Sequence, residues 1–330
     1  MRKLRLTLAC WNYDRTRALA DGSARPEGID LVYLGLEVEE TFFRMLRHRE
    51  FDVAEMSLSS YTVTLSREDP PFIALPVFPS RMFRHSCIFV STKSDIREPR
   101  DLAGRRIGVP EYQMTAPVWI RGILQDEYGV DPSSVRYFTG GVEEPGREEK
   151  LKLDLPPRFR ITPIGATQTL AKMLADGEID ALYTARTPST FATRPATVRR
   201  LFEDYVATER DYYRRTRMFP IMHTVVIRRD VYRAHPWIAR SLYKAFAEAK
   251  RRAQDDLGAT NALSSMLPWQ IAHVEEARRE IGDDWWPYGL AANRAVLDTF
   301  LRYHYEQGLS KRRLAPEDLF APETHESFRV

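Results

Sequence analysis

The chain has 330 residues, 43% of them hydrophobic, and a formal net charge of +3. That length and apolar content suffice for a large core divided between two lobes, and the near-balanced charge offers no basic nucleic-acid surface. No apolar stretch approaches a membrane span, so neither nucleic acid nor membrane is an expected partner.

Met1-Arg2-Lys3 leads straight into Leu4-Arg5-Leu6-Thr7-Leu8-Ala9, which alternates like a strand and lacks the apolar core and cleavage site of a secretory leader. A fold starting at residue 1 and a cytoplasmic location are expected. Residues 4–10 form the first strand, which ends in the polar-aromatic turn Trp11-Asn12-Tyr13-Asp14-Arg15, of the kind that lines a cleft. Residues 29–34 make a second strand, followed by a helix with Val38, Phe42, Met45 and Leu46 as its buried stripe. A third strand at 51–56 leads into the hydroxyl-rich helix start Ser57-Leu58-Ser59-Ser60-Tyr61, and residues 72–77 form a fourth. Such a βαβ series presents its functional loops at the strand carboxyl ends. Cys10 and Cys87 lie in apolar runs without metal-ligand spacing and read as inert buried thiols.

After a strand at 87–90, Ile107-Gly108-Val109 is cut off by Pro110. Thr115 is placed as an N-cap and Pro117 in the first turn of a helix continuing through Val118, Ile120, Ile123, Leu124 and Tyr128. Unpaired backbone N–H groups beside Glu111, Tyr112 and Gln113 would then make an anion site; an ordinary strand-to-helix connection is the plainer alternative. Strands at 135–138 and 160–164, the closing segment 181–186 and a strand at 222–227 follow, and the basic run from Arg210 to Arg217 reads as a solvated helix face or a subunit contact. Helices are expected around 236–256, 260–280 and 289–307, with the aromatic-acidic loop Asp283-Asp284-Trp285-Trp286-Pro287-Tyr288-Gly289 between the last two.

An internal repeat supports two similar lobes. Met45-Leu46-Arg47-His48-Arg49-Glu50-Phe51-Asp52-Val53 aligns without a gap on Met173-Leu174-Ala175-Asp176-Gly177-Glu178-Ile179-Asp180-Ala181, each the end of a helix, a turn and the start of a strand. The expected division is 1–86 plus 223–330 against 87–222, hinged as a clamshell with the active site in the cleft.

Asp101-Leu102-Ala103-Gly104-Arg105-Arg106-Ile107-Gly108-Val109 and Gly177-Glu178-Ile179-Asp180-Ala181 resemble the type II periplasmic binding protein fold, in the branch of nitrate-, sulfonate- and thiamine-precursor-binding proteins. The resemblance implies an α/β, two-lobed clamshell, each lobe a mixed sheet flanked by helices. Ser80-Arg81-Met82-Phe83-Arg84-His85-Ser86, Pro110-Glu111-Tyr112-Gln113-Met114-Thr115-Ala116, Gly140-Gly141-Val142-Glu143-Glu144-Pro145-Gly146-Arg147 and Pro220-Ile221-Met222-His223 further resemble the 4,5-dihydroxyphthalate decarboxylases. That family implies non-oxidative loss of one carboxylate from an electron-rich catechol ring, giving 3,4-dihydroxybenzoate and CO₂.

Protonation of the ring carbon, assisted by the hydroxyl para to it, avoids a free carbanion; it needs an acid-base pair and cations for the remaining carboxylate. His85, His223 and Glu111 are the expected catalytic groups. Arg81, Arg84, Tyr112, Arg147, Arg186 and Trp286 are the expected substrate-binding groups, since arginine binds carboxylates bidentately. Glu111 and Tyr112, at the helix terminus, could hold a catechol hydroxyl, and Asp14 and Arg15 are weaker candidates for that role. Metal and dinucleotide signatures are absent, so no metal and no cofactor are expected, although distant histidines and acids leave a divalent ion open. A small aromatic dicarboxylate and further copies of the chain are the expected partners. The alternatives are an aromatic-acid-binding protein of a transporter, or another lyase on the same fold.

Overall fold

Among the described residues, eleven short strands carry the fold: β1 (Leu4–Cys10), β2 (Ile29–Gly35), β3 (Val53–Ser57), β4 (Phe72–Leu75), β5 (Ile88–Ser91), β6 (Arg106–Val109), β7 (Arg136–Thr139), β8 (Arg160–Pro163), β9 (Ala181–Tyr183), β10 (Val198–Arg200) and β11 (His223–Arg228). The computed structural model describes residues 2–326; residues 1 and 327–330 lie outside the described residues. The chain divides into two units, Met1–Arg81 with Ile221–Arg294 and Ala315–Val330, and Met82–Pro220 with Ala295–Leu314.

In the first unit the sheet order is β2-β1-β3-β11-β4. β1 pairs parallel with β2 and β3, and β11 runs antiparallel to β3 and β4. Helix Val38–His48 buries Phe42, Met45 and Leu46 of the stripe that its 3.6-residue spacing predicts, with Thr41 in place of Val38, which is half-buried. The 21-residue helix Trp237–Leu257 packs with Ile238, Leu242 and Phe246 fully buried. The second unit has the order β10-β5-β9-β6-β7-β8, with β6 parallel to β7 and β9 and β5 antiparallel to β9. Phe89, Leu170, Leu174, Ile179 and Leu182 form a core cluster there.

The repeat is structural. In each unit a helix ends in a left-handed residue, Arg49 (φ 52°) or Gly177 (φ 79°), before an aspartate that ties the next strand to its parallel neighbour. Asp52 accepts from the Thr7 amide at 2.8 Å and hydroxyl at 3.0 Å. Asp180 accepts from the Arg106 amide at 2.9 Å and guanidinium at 2.7 Å. The order β2-β1-β3-β11 in one sheet is matched by β7-β6-β9-β5 in the other.

Three expectations differ from the structure. Helix Thr115–Tyr128 is capped by Met114, with Thr115 its first helical residue. The helix expected over 260–280 is only Gln270–Glu280, because the Gln270 amide organises a preceding turn, accepting from Ser265 N at 2.9 Å and donating to Leu257 O at 2.9 Å. Residues 295–314, expected with the first lobe, belong to the second unit. Trp119 packs on Phe300 and Tyr303 at 5.7 Å each, and the Gln307 amide accepts from Arg121 at 2.7 Å and donates to Val118 O at 3.0 Å. These pairings lie far apart in sequence, beyond the reach of periodicity.

Gly122 lets that segment approach, since a Cβ there would fall 2.1 Å from the Tyr303 ring. Gly122→Ala is expected to cost about 1–3 kcal/mol by overpacking. Urea unfolding reads this directly, and an unchanged midpoint would show that the helix is not held by this contact.

Candidate active site

Glu55 sits in β3, where every residue is buried, and is itself 0% exposed. A buried carboxylate must find donors for its lone pairs. Oε1 accepts from His223 Nδ1 at 2.6 Å and from the Tyr13 hydroxyl at 2.7 Å. Oε2 accepts from the Trp11 amide at 3.0 Å and the Cys10 thiol at 3.5 Å. The sheet brings these groups together. β1 and β3 run parallel with Leu8 beside Val53 and Ala9 beside Ala54, so Cys10 comes next to Glu55 where β1 gives way to the Trp11–Tyr13 turn. β11 runs antiparallel with Val225 opposite Glu55, so His223 is its diagonal neighbour. The site lies at the carboxyl ends of the parallel strands.

Burial pushes the Glu55 carboxyl up, but its hydrogen bond to and charge interaction with His223, with the Trp11 amide and Tyr13 hydroxyl, outweigh this and hold it below the usual range. Burial and the Glu55 charge push the Tyr13 hydroxyl and the Cys10 thiol up. Because Glu55 is ionised and Oε1 already accepts from Tyr13, His223 Nδ1 is the donor of its 2.6 Å bond. The His223 side chain, 17% exposed, packs at the edge of Phe42 with ring centroids 4.9 Å apart.

Beside this network lies the loop expected to cover a ring. Trp286 Nε1 donates to Phe78 O at 2.8 Å, and Lys250, paired with Asp284 at 2.6 Å, donates to Trp286 O at 3.2 Å. Arg81, expected to bind a carboxylate, is buried and donates to Pro287 O at 2.7 Å and to the Asn293 side chain, clasping this loop.

The second unit buries a carboxylate to a different end. Glu111, just past β6, is 0% exposed and accepts from Arg147 at 2.6 Å, from the Lys150 ammonium, from the Lys150 amide at 3.1 Å and from Gln113 at 2.8 Å. Burial raises its pKa, but the charges of Lys150 and Arg147 outweigh that and hold it below the usual range. The anion expected at this turn is the chain's own: the Tyr112 amide donates to Glu149. The other Glu149 oxygen is buried without a hydrogen-bond partner, and burial, with the Glu111 charge, pushes this carboxyl up to about 7.

The remaining expected residues have other settings. Tyr112 is fully buried, donates to Gln307 O at 3.2 Å and stacks under Arg121 at 4.0 Å, with its hydroxyl pushed up to about 12 by burial. His85 is 1% exposed, packed at 5.3 Å from Phe202 and 5.2 Å from Tyr212, and neither ring nitrogen has a hydrogen-bond partner. Burial, then the Arg215 charge, pushes its pKa down to about 4. Arg84 is buried against the Cys87 sulfur at 3.5 Å, and Arg186 is exposed. Sequence reasoning missed Glu55, Glu149 and Lys150. For Glu55 the signal was a carboxylate between Ala54 and Met56 in a strand with no exposed face. Among the described residues no three His, Cys, Asp or Glu side chains converge as a metal site, and no helix is long and apolar enough to cross a membrane.

The fold belongs to the periplasmic-binding-protein-like class. A sulfonate-binding protein of an ABC transporter from Methylobacillus flagellatus superposes with a TM-score of 0.56 at 14% identity, covering 98% of this chain and 92% of that one. The periplasmic aliphatic sulphonate-binding protein of Escherichia coli gives 0.52 at 13% identity, covering 98% and 99%. Within that class, the 4,5-dihydroxyphthalate decarboxylase of Comamonas testosteroni is 44% identical over 330 residues, 100% of both chains. The enzyme of that name from Pseudomonas putida is 44% identical over 214 residues, 65% of this chain and 83% of that one. The chain belongs to the 4,5-dihydroxyphthalate decarboxylase family. It matches no protein-family model.

Glu149 generates a pH prediction. Its folded value of about 7 lies above the ordinary 4.5, so the folded state holds the proton more tightly and loses stability as pH rises through this window. Glu149→Gln is expected to recover up to about 3 kcal/mol at pH 8 relative to pH 5. Urea midpoints at the two pH values test this; parallel shifts in wild type and variant would contradict it.

Proposed function

We propose that the chain catalyses the reaction for which its relatives are named, the non-oxidative decarboxylation of 4,5-dihydroxyphthalate to 3,4-dihydroxybenzoate and CO₂. Identity to a named decarboxylase along the whole chain supports the reaction class. The observation that carries the mechanism is the 2.6 Å bond between Glu55 and His223 Nδ1, which leaves Nε2 as the nitrogen that can meet a substrate.

In this reading protonated His223 delivers the Nε2 proton to the ring carbon bearing the departing carboxylate. The para hydroxyl supplies electron density to that carbon. The carbon–carboxylate bond then breaks, its electron pair returns to the ring, and CO₂ leaves. One proton enters and one CO₂ departs, so the step needs no oxidant. Glu55 orients the imidazole and stabilises its cationic form, a role that its low pKa suits. His85, buried and held neutral, serves the core, and Glu111 anchors the loop carrying Arg147 and Lys150. No metal or cofactor takes part in the proposed step.

Purified protein with 4,5-dihydroxyphthalate, with and without chelator, tests this through the catechol spectrum and CO₂ release. Turnover insensitive to chelator is expected. Chelator inhibition reversed by a divalent ion would overturn the metal-free step, and saturable binding without turnover would replace the enzyme by a binding protein. His223→Gln is expected to lower kcat by about 10²–10⁴-fold. His85→Leu is expected to leave kcat within about threefold; the opposite ranking would return the acid-base role to His85.

A cytoplasmic location belongs to the same proposal, supported by two buried free thiols that suit a reducing compartment; recovery of the protein in a periplasmic extract would remove it. So does a homo-oligomer, supported by the exposed apolar side chains of Leu263, Met266, Leu267 and Trp269. Sedimentation at micromolar concentration should show more than one copy, and a monomer would remove that part.

A further inference from the structure

A second cation stands against the Glu55 network. The Arg15 guanidinium carbon lies 4.1 Å from the centre of the Tyr13 ring and 4.3 Å from that of Trp286. Its Nε donates to Pro79 O at 2.6 Å and its Nη1 to Asp14 at 2.9 Å. Both rings are held in turn: the Tyr13 hydroxyl on Glu55 at 2.7 Å and the Trp286 indole on Phe78 O at 2.8 Å. The guanidinium plane is thus fixed before any ligand arrives, and the side chain keeps 17% of its surface exposed. Its counter-ion Asp14 is 42% exposed, a pairing weak enough to exchange.

We infer that Arg15 is the residue that binds the carboxylate retained through the reaction, an inference that rests on the proposed decarboxylation. A planar guanidinium with a fixed plane matches a carboxylate on an aromatic ring, and the aromatic faces around it suit the ring itself. The retained group is the one assigned because the departing carboxylate must lose its charge as CO₂ forms. An arginine clamped on that group would stabilise the ground state and oppose the step. One residue, Tyr13, touches both Arg15 and Glu55, so the carboxylate clamp and the proton donor share a rigid support. Arg81, the stronger candidate from sequence, is already committed to the loop at Pro287 and Asn293.

The test compares wild type, Arg15→Gln and Arg15→Lys by steady-state kinetics, and by calorimetry with 3,4-dihydroxybenzoate, which keeps the retained carboxylate, and catechol, which has none. Arg15→Gln is expected to weaken 3,4-dihydroxybenzoate binding and raise KM by about 10–100-fold, with a smaller effect on kcat. Catechol binding should be unchanged and Arg15→Lys should fall between. Equal affinity of wild type and Arg15→Gln for 3,4-dihydroxybenzoate would overturn the inference, as would equal losses for the two ligands, which would mark Arg15 as structural. Failure of the decarboxylase reading shows separately, as wild-type protein without turnover.

Discussion

Burial of the Glu55 charge is the constraint on which the first unit's chemistry depends. Taking a carboxylate out of water costs several kcal/mol unless donors replace the lost hydration. Here four donors do so, from the end of β1, the turn after it and the start of β11. None of the four comes from β3 itself. The strand pairing therefore does more than close a sheet, because its register decides which side chains reach the carboxylate. Sliding β11 by one residue would turn His223 to the other face.

The second unit buries a carboxylate among donors of another kind. Glu111 is as deeply buried as Glu55, but its partners include a guanidinium and an ammonium, permanent cations at neutral pH. Such a cluster ties residues 147–150 to the end of β6, and no partner in it changes charge. Glu149, beside it, has one backbone donor and a bare second oxygen, and its pKa rises as expected of a carboxyl with too few donors. The contrast among the three glutamates follows from donor count and donor type.

Much of the architecture was legible in the chain because it rests on local signals. The strand at 4–10, the apolar stripe of the helix after β2, and the repeat centred on Asp52 and Asp180 are written in spacing and short motifs. In both copies the aspartate just before the strand holds the neighbouring strand, so the repeated motif has the same structural role twice. The site was less legible. His223 was singled out for its place near a crossing between the expected lobes, but its partner Glu55 sits 168 residues away and is joined to it only by sheet pairing. Arg81 and Tyr112 were misplaced for a related reason: position in a loop says nothing about which carbonyl, amide or ring will claim a side chain. Arg81 is claimed by Pro287 and Asn293, and Tyr112 by Gln307 and Arg121.

Binding an anion and releasing CO₂ place different demands on side chains. A binder needs fixed donors and cations whose charge stays constant. A proton donor must change charge without disturbing the groups that hold it, so its neighbours must stay in one protonation state throughout. The Glu55 network meets that condition. Its donors keep the carboxylate ionised, while burial and the Glu55 charge keep the Tyr13 hydroxyl and Cys10 thiol protonated. In the proposed reaction His223 is the member through which the proton passes. Its Nδ1 is committed to Glu55, so the exchange is confined to Nε2 and to whatever faces it.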